Sequence, residues 1–100
     1  NGIDIAGVDG SPIRAAANGK VVYAGTGLRG YGLLLIIKHD ETFLSAYAHN
    51  RAVTVNEGDQ ISSGQVIAEM GQSGASSVRL HFEIRRNGQP IDPLTILPRR

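Results

Sequence analysis

One hundred residues with 41% apolar content suffice for about one domain with one compact core, and a formal net charge of +1 argues against a nucleic-acid binder held by bulk electrostatics. The absence of cysteine excludes a disulfide scaffold and a thiolate metal site. The longest apolar run, Leu33 to Ile37, is strand-sized and far short of the roughly 18 residues of a membrane-spanning helix.

Thirteen glycines at turn-like intervals, with short β-branched runs between them, predict an all-β chain. A short strand at Ile3–Ile5 opens it, followed by strands near Ile13–Ala15 and Lys20–Ala24. Gly32–His39 and Thr42–His49 form the long central pair, joined by the polar connection Asp40-Glu41. Leu33 to Ile37 is apolar at every position, as in a strand covered on both faces. A short piece at Ala52–Val55 precedes Val66–Met70, and Arg79–Arg86 is the last long strand. It ends on Asn87-Gly88, where both residues tolerate the positive φ of a type I′ turn. No segment sustains a 3.6-residue apolar period, so no substantial helix is expected.

Alternation sorts the faces. Leu80, Phe82 and Ile84 share one side of their strand, and Arg79, His81, Glu83 and Arg85 share the other. In the preceding long strand Leu44, Ala46 and Ala48 stand against Phe43, Ser45, Tyr47 and His49. A strand with one apolar face and one row of charged and imidazole groups is usually just half exposed. The remaining motifs give this row a second meaning.

Arg79-Leu80-His81-Phe82-Glu83 resembles the His-Leu-His-Phe-Glu strand of the LytM-type, or lysostaphin-like, zinc endopeptidases that cut bacterial peptidoglycan. Further matches fall in order along the whole chain: Gly2-Ile3-Asp4, Ser11 to Ala15 with Gly19-Lys20-Val21, Gly30-Tyr31-Gly32 with Ile37-Lys38-His39, Tyr47-Ala48-His49, Val55 to Gly71, and Ile91-Asp92-Pro93. The resemblance implies one domain over 1–100, built as two packed antiparallel β-sheets with one lining a groove. It also implies metal-ligand positions at Asp4 and His81, a third one place before Asn1, and base-like positions at His49 and Arg79. Arg79 stands where the enzymes have an imidazole. A guanidinium stays protonated, ligates no metal and cannot act as a base near neutrality. The loop Gly71 to Val78 is one residue shorter than the enzymes' loop and lacks their Gly-Pro, consistent with a rim no longer held to catalytic geometry.

Within that family, Gly2-Ile3-Asp4-Ile5-Ala6-Gly7, Leu28 to Gly32, Ser45 to Asn50, Arg79 to Arg85 and the closing Leu97-Pro98-Arg99-Arg100 look like the NlpD-type factors. This implies a non-enzymatic activator of N-acetylmuramoyl-L-alanine amidases in septal peptidoglycan splitting and daughter-cell separation, with no metal or other cofactor. The implied location is the periplasm, outer-membrane anchored through a region outside this chain, which reads as a domain excised from a longer protein. The amidase would be bound through the former active-site groove by Asp4, Tyr31, Leu34, His49, Arg79, His81 and Arg85.

Plainer readings stand beside these. Asp4 also fits a turn or strand-end acid, His39 a structural histidine, His49 a satisfied polar partner of Tyr47, and Tyr31 a surface ring closing a hairpin. Three other functions compete. A residual zinc endopeptidase is opposed by Arg79. A biotinyl or lipoyl carrier is suggested by Val53 to Gly71, but it needs a lysine at a hairpin tip and the chain has only Lys20 and Lys38. Binding of peptidoglycan strands in the groove is compatible with the sequence.

Overall fold

The computed structural model describes residues 2–91. The expected matches at Asp92-Pro93 and at Leu97 to Arg100 lie outside the described residues. Among the described residues nine strands run in chain order: β1 (Ile3–Ala6), β2 (Pro12–Arg14), β3 (Gly19–Gly25), β4 (Leu33–Lys38), β5 (Phe43–Val53), β6 (Gln60–Ile61), β7 (Val66–Met70), β8 (Arg79–Arg86) and β9 (Gln89–Ile91). All pairings are antiparallel.

The expected pair of sheets is joined into one hydrogen-bonded network. A long sheet runs β1-β8-β5-β4-β3-β6, and a branch leaves β5 through β7 to β2. The separate pieces expected at Thr42–His49 and Ala52–Val55 are therefore one strand of 11 residues. Its first part pairs with β4 and β8, and its last residues pair with β7 after a register shift between Asn50 and Ala52. Pro12 sits at the start of β2, at the end of the branch, where a missing N–H costs least.

Two turns follow from local chemistry. Asp40 Oδ1 accepts hydrogen bonds from the backbone N–H of Thr42 and Phe43, both at 2.8 Å. Those bonds set the β4–β5 hairpin and hold the Asp40 carboxyl below its ordinary range. Asn87 and Gly88 both take positive φ, 52° and 80°, as the type I′ reading requires. They reverse β8 into β9, a short strand that the sequence pattern did not mark.

The apolar face of β8 does what alternation predicts. Leu80, Phe82 and Ile84 enter a core with Val21, Leu35, Ile37, Tyr47, Ile67 and Met70. The β4 run is covered on both sides. Leu35 and Ile37 face this core, while Leu34 joins Ala46 and Ala48 in a second cluster beneath Tyr23, Tyr31 and Ile36. That second cluster floors the groove.

Tyr47 is fully buried, with its ring 5.3 Å from that of Phe82. Its hydroxyl accepts from Ala16 N at 3.0 Å and shares a 2.7 Å hydrogen bond with Ser45. Burial pushes the Tyr47 phenol up despite these bonds. His39 continues the chain, bridging Ser45 Oγ at 2.7 Å and the Asn18 carbonyl at 2.6 Å, so it has the structural role the sequence allowed. Removing the Tyr47 hydroxyl would leave the buried Ser45 and the Ala16 N–H each short of a partner. Tyr47→Phe is expected to cost about 1–3 kcal/mol, read as a lower denaturation midpoint in urea at unchanged slope.

Candidate functional site

β8 carries the site. Its pairing with β1 sets Asp4 opposite His81, and its pairing with β5 sets Ala48 opposite His81 and Ala46 opposite Glu83. Alanine at both β5 positions leaves room above the sheet for the longer β8 side chains and for the ring of Tyr31. The polar row is less open than its sequence suggests. His81 and Arg85 are half-buried, and Glu83 is only 4% exposed.

Glu83 organises the row. Its Oε2 accepts from His81 Nε2 at 2.8 Å and from the Tyr31 hydroxyl at 3.2 Å. Its Oε1 accepts from Arg85 through two nitrogens, at 2.8 and 3.1 Å. Arg85 also donates to the Tyr31 hydroxyl at 3.1 Å. On the other side of the imidazole, His81 Nδ1 lies 2.7 Å from Asp4 Oδ1. Asp4, His81, Glu83, Arg85 and Tyr31 therefore form one continuous network. Glu83 was not among the expected contact residues. The signal was in the sequence, since a carboxylate at i+2 from an imidazole and i−2 from a guanidinium shares a strand face with both.

The electrostatics follow from these contacts. Burial pushes the Glu83 carboxyl up, but the hydrogen bonds and charges of His81 and Arg85 outweigh it and hold the group below its ordinary value. The hydrogen bond to His81 lowers Asp4, helped by the nearby charges of His81, Arg79 and His49. The bond to Glu83 raises the already high Arg85.

His49 corrects the alternation reading, which set it on the side of Ser45 and Tyr47. It adopts φ 68°, at a register irregularity opposite β4. This break turns its ring toward the groove, 6.2 Å from the ring of His81. His49 Nδ1 donates to the Ser73 carbonyl at 2.7 Å, not to Tyr47.

The short 71–78 loop is firmly pinned. Ser73 Oγ donates to the Asn50 carbonyl at 2.6 Å and accepts from Leu33 N at 3.0 Å. A Cβ on Gly32 would lie 2.2 Å from the Ser73 carbonyl oxygen, so only glycine lets the loop approach this closely.

Arg79 stands at the other end of the row, paired with Ala6 on one side and Gly71 on the other. Its Nε is buried and, among the described residues, has no hydrogen-bond partner. Leu34 is buried in the groove floor. The structure thus joins Asp4, Tyr31, His81 and Arg85 directly, sets His49 and Leu34 beside them, and leaves Arg79 outside the hydrogen-bonded network.

An antiparallel sheet of this topology, with such a row across it, is a peptidase type of fold. Residues 1–93 match Peptidase family M23, and the chain belongs to that family. Over 99 residues it is 65% identical to the lipoprotein NlpD/LppB homolog of Pseudomonas aeruginosa, covering 99% of this chain and 33% of that protein. It is 58% identical over 99 residues to the murein hydrolase activator NlpD of Escherichia coli strain K12, covering 99% of this chain and 26% of that protein. It thus spans a third or less of the length of these two relatives. The fold also matches the catalytic domain of the antimicrobial peptidase lysostaphin from Staphylococcus simulans. The TM-score is 0.90 at 28% identity, covering 96% of this chain and 77% of that one.

The depressed carboxylates give the site a pH signature. A group whose folded pKa is lowered stabilises the fold above its unfolded value and loses that contribution as pH falls through the folded one. Asp4 and Glu83 both have this sign. The contribution of these two carboxylates is expected to be fully present above their ordinary values and to be lost below about pH 4. Glu83→Gln should cost about 1–3 kcal/mol at pH 7 and make the acid decline shallower. Urea denaturation at stepped pH values measures both.

Proposed function

We propose that this chain, as one domain over 1–100, is a non-enzymatic activator of an N-acetylmuramoyl-L-alanine amidase, which it binds through the groove above β4, β5 and β8. The observation that carries this reading is the polar row itself. Where a peptidase of this family would hold an imidazole, the row has Arg79. The groups around His81 are spent on each other.

The donors do not fit a catalytic zinc. Such an ion takes three protein ligands and keeps one position open. Asp4 and His81 are two donors in hydrogen-bond contact with each other, and the described residues contain no group of three His, Cys, Asp or Glu that could hold a metal. The fixed charge of Arg79, near enough to lower the Asp4 carboxyl, would repel a dication by an amount on the order of several kcal/mol. One of the two base-like positions is also lost, because the guanidinium of Arg79 holds its proton.

What remains suits recognition. The network gives the groove a fixed shape, an apolar floor and polar groups with assigned partners, as a protein-binding surface requires. Relatives named as murein hydrolase activators support this reading. Others named as lipoproteins support envelope anchoring of the parent protein, and with it a periplasmic location. Residual endopeptidase activity is opposed by Arg79 and by the donor count.

Metal-replete protein is expected to carry no stoichiometric zinc by elemental analysis and to leave peptidoglycan cross-bridges intact in a muropeptide digest. About one zinc per chain together with cut bridges would end the activator reading. Arg79→His alone is expected to restore no cleavage, because ligands, base and rim act as a unit.

Tyr31→Ala, His81→Ala and Arg85→Ala are expected to abolish amidase action on dye-labelled sacculi while the fold persists, because the apolar face of β8 keeps the packing. Arg51→Ala should do little. Arg51 pairs with Asp9 and Glu69 outside the network; Arg51 and Asp9 are about half exposed and Glu69 partly so, where such pairs contribute little. Melting curves run beside the assay separate lost recognition from lost folding.

A further inference from the structure

Beyond the polar row lies a cavity of about 110 Å³, open at the Arg85 end of the groove. Leu34, Ile36, Leu44 and Ala46 line it with the 46%-exposed Leu28, and Tyr31 and Arg85 join it to the polar row. Nothing in the network uses this space. Small-molecule pockets run to about 300–1,000 Å³, too large a class for this one, whereas a cavity of about 150 Å³ accommodates one benzene ring. It has the size and lining for a single aliphatic side chain. A hydrated sugar would find no polar floor there.

The opposite end of the groove presents the complementary feature. Arg79 has a buried Nε without a partner, and none of the described residues forms an ion pair with it. Asp4 and Glu83, the acids of this row, are engaged by His81 and Arg85. A cation left over in a row whose anions are taken calls for an external anion. Arg79 and Arg85 are six residues apart on β8, hence about 20 Å along the groove.

We infer that the groove holds one segment of the partner protein by two points: an aliphatic side chain in the Leu28–Leu44 cavity and, about 20 Å away, a carboxylate on Arg79. This rests on the reading that the groove binds an amidase, and it adds which chemistry the bound segment must present. Network and anchors divide the work. Tyr31, Glu83 and Arg85 fix the wall between the two points, and the two ends supply attraction.

The test is titration of the chain, ¹³C-labelled at Leu and Ile methyls, with unlabelled full-length amidase, beside affinities for single variants. Leu28, at an exposed loop, can change to Asp without disturbing the core. Leu28→Asp is expected to weaken binding about tenfold or more. Arg79→Glu is expected to weaken it more than Arg79→Ala does, and both should flatten its salt dependence, because one screened ion pair is lost. Arg79→Lys should recover part of the affinity. Methyl signals of Leu28, Leu34, Ile36 and Leu44 should shift with the amidase and stay still with soluble muropeptides.

If His81→Ala and Arg85→Ala destroy binding while the Leu28 and Arg79 variants bind like the parent, the two-point inference is wrong and the groove reading survives. If none of these changes affects binding, both fall. Shifts of the cavity methyls with muropeptides, and not with the amidase, would overturn the assignment of a protein occupant.

Discussion

A carboxylate taken almost wholly out of water must be met by donors, and Glu83 is met by three side chains at once. His81 and Tyr31 reach one of its oxygens, and Arg85 reaches the other through two nitrogens. Leaving such a charge unpaired would cost several kcal/mol, while pairing it well can roughly offset the desolvation. The consequence is geometric more than energetic. Each of the three donors is held where Glu83 requires it, and Asp4 is held in turn through His81. The groove surface is thereby set from below.

That arrangement depends on β5. The strand serves the long sheet and the branch, and its two faces serve different ends. Ser45 and Tyr47 look toward the main core, where Tyr47 packs on Phe82. Ala46 and Ala48 look toward the groove, and being small they admit Tyr31 above them. The irregularity at His49 then bends the pattern, so that an imidazole expected on the core side reaches the groove. The same irregularity brings Asn50 into the interior, where its amide donates to the carbonyls of Leu33 and Tyr47. Packing, register and site thus meet within six consecutive residues.

Most of the fold was legible because its signals are local. Strand alternation in β8 and the apolar run in β4 each needed only a few neighbouring residues to interpret, and so did the Asn87-Gly88 turn. The interaction that orders the site was visible in part: His81, Glu83 and Arg85 share a face by simple periodicity. What periodicity cannot supply is burial. Glu83 is shielded because Tyr31 folds over from a loop 52 positions away, and no pattern within β8 encodes that. His49 was misplaced for a related reason. Its left-handed φ depends on pairing with β4 and on the Ser73 carbonyl, two partners distant in sequence. β6 and β9 have two and three residues, too few to show a period, and they exist because an edge was available to pair with.

The way the network satisfies itself bears on how such a groove can bind at all. A reacting site keeps some groups underused, such as an open metal position or a base awaiting a proton. In this groove the central groups are already partnered, so an incoming segment gains little by replacing a bond to Glu83 with one of its own. Net attraction then has to come from groups that are not yet served. Two stand out at its ends: an apolar hollow beside Arg85 and the guanidinium of Arg79, which has no ion-pair partner among the described residues. Because they sit at opposite ends of a rigid strand, they discriminate by spacing as well as by chemistry. A segment with either feature alone engages one end of β8, while a segment with both at the right separation engages the whole of it.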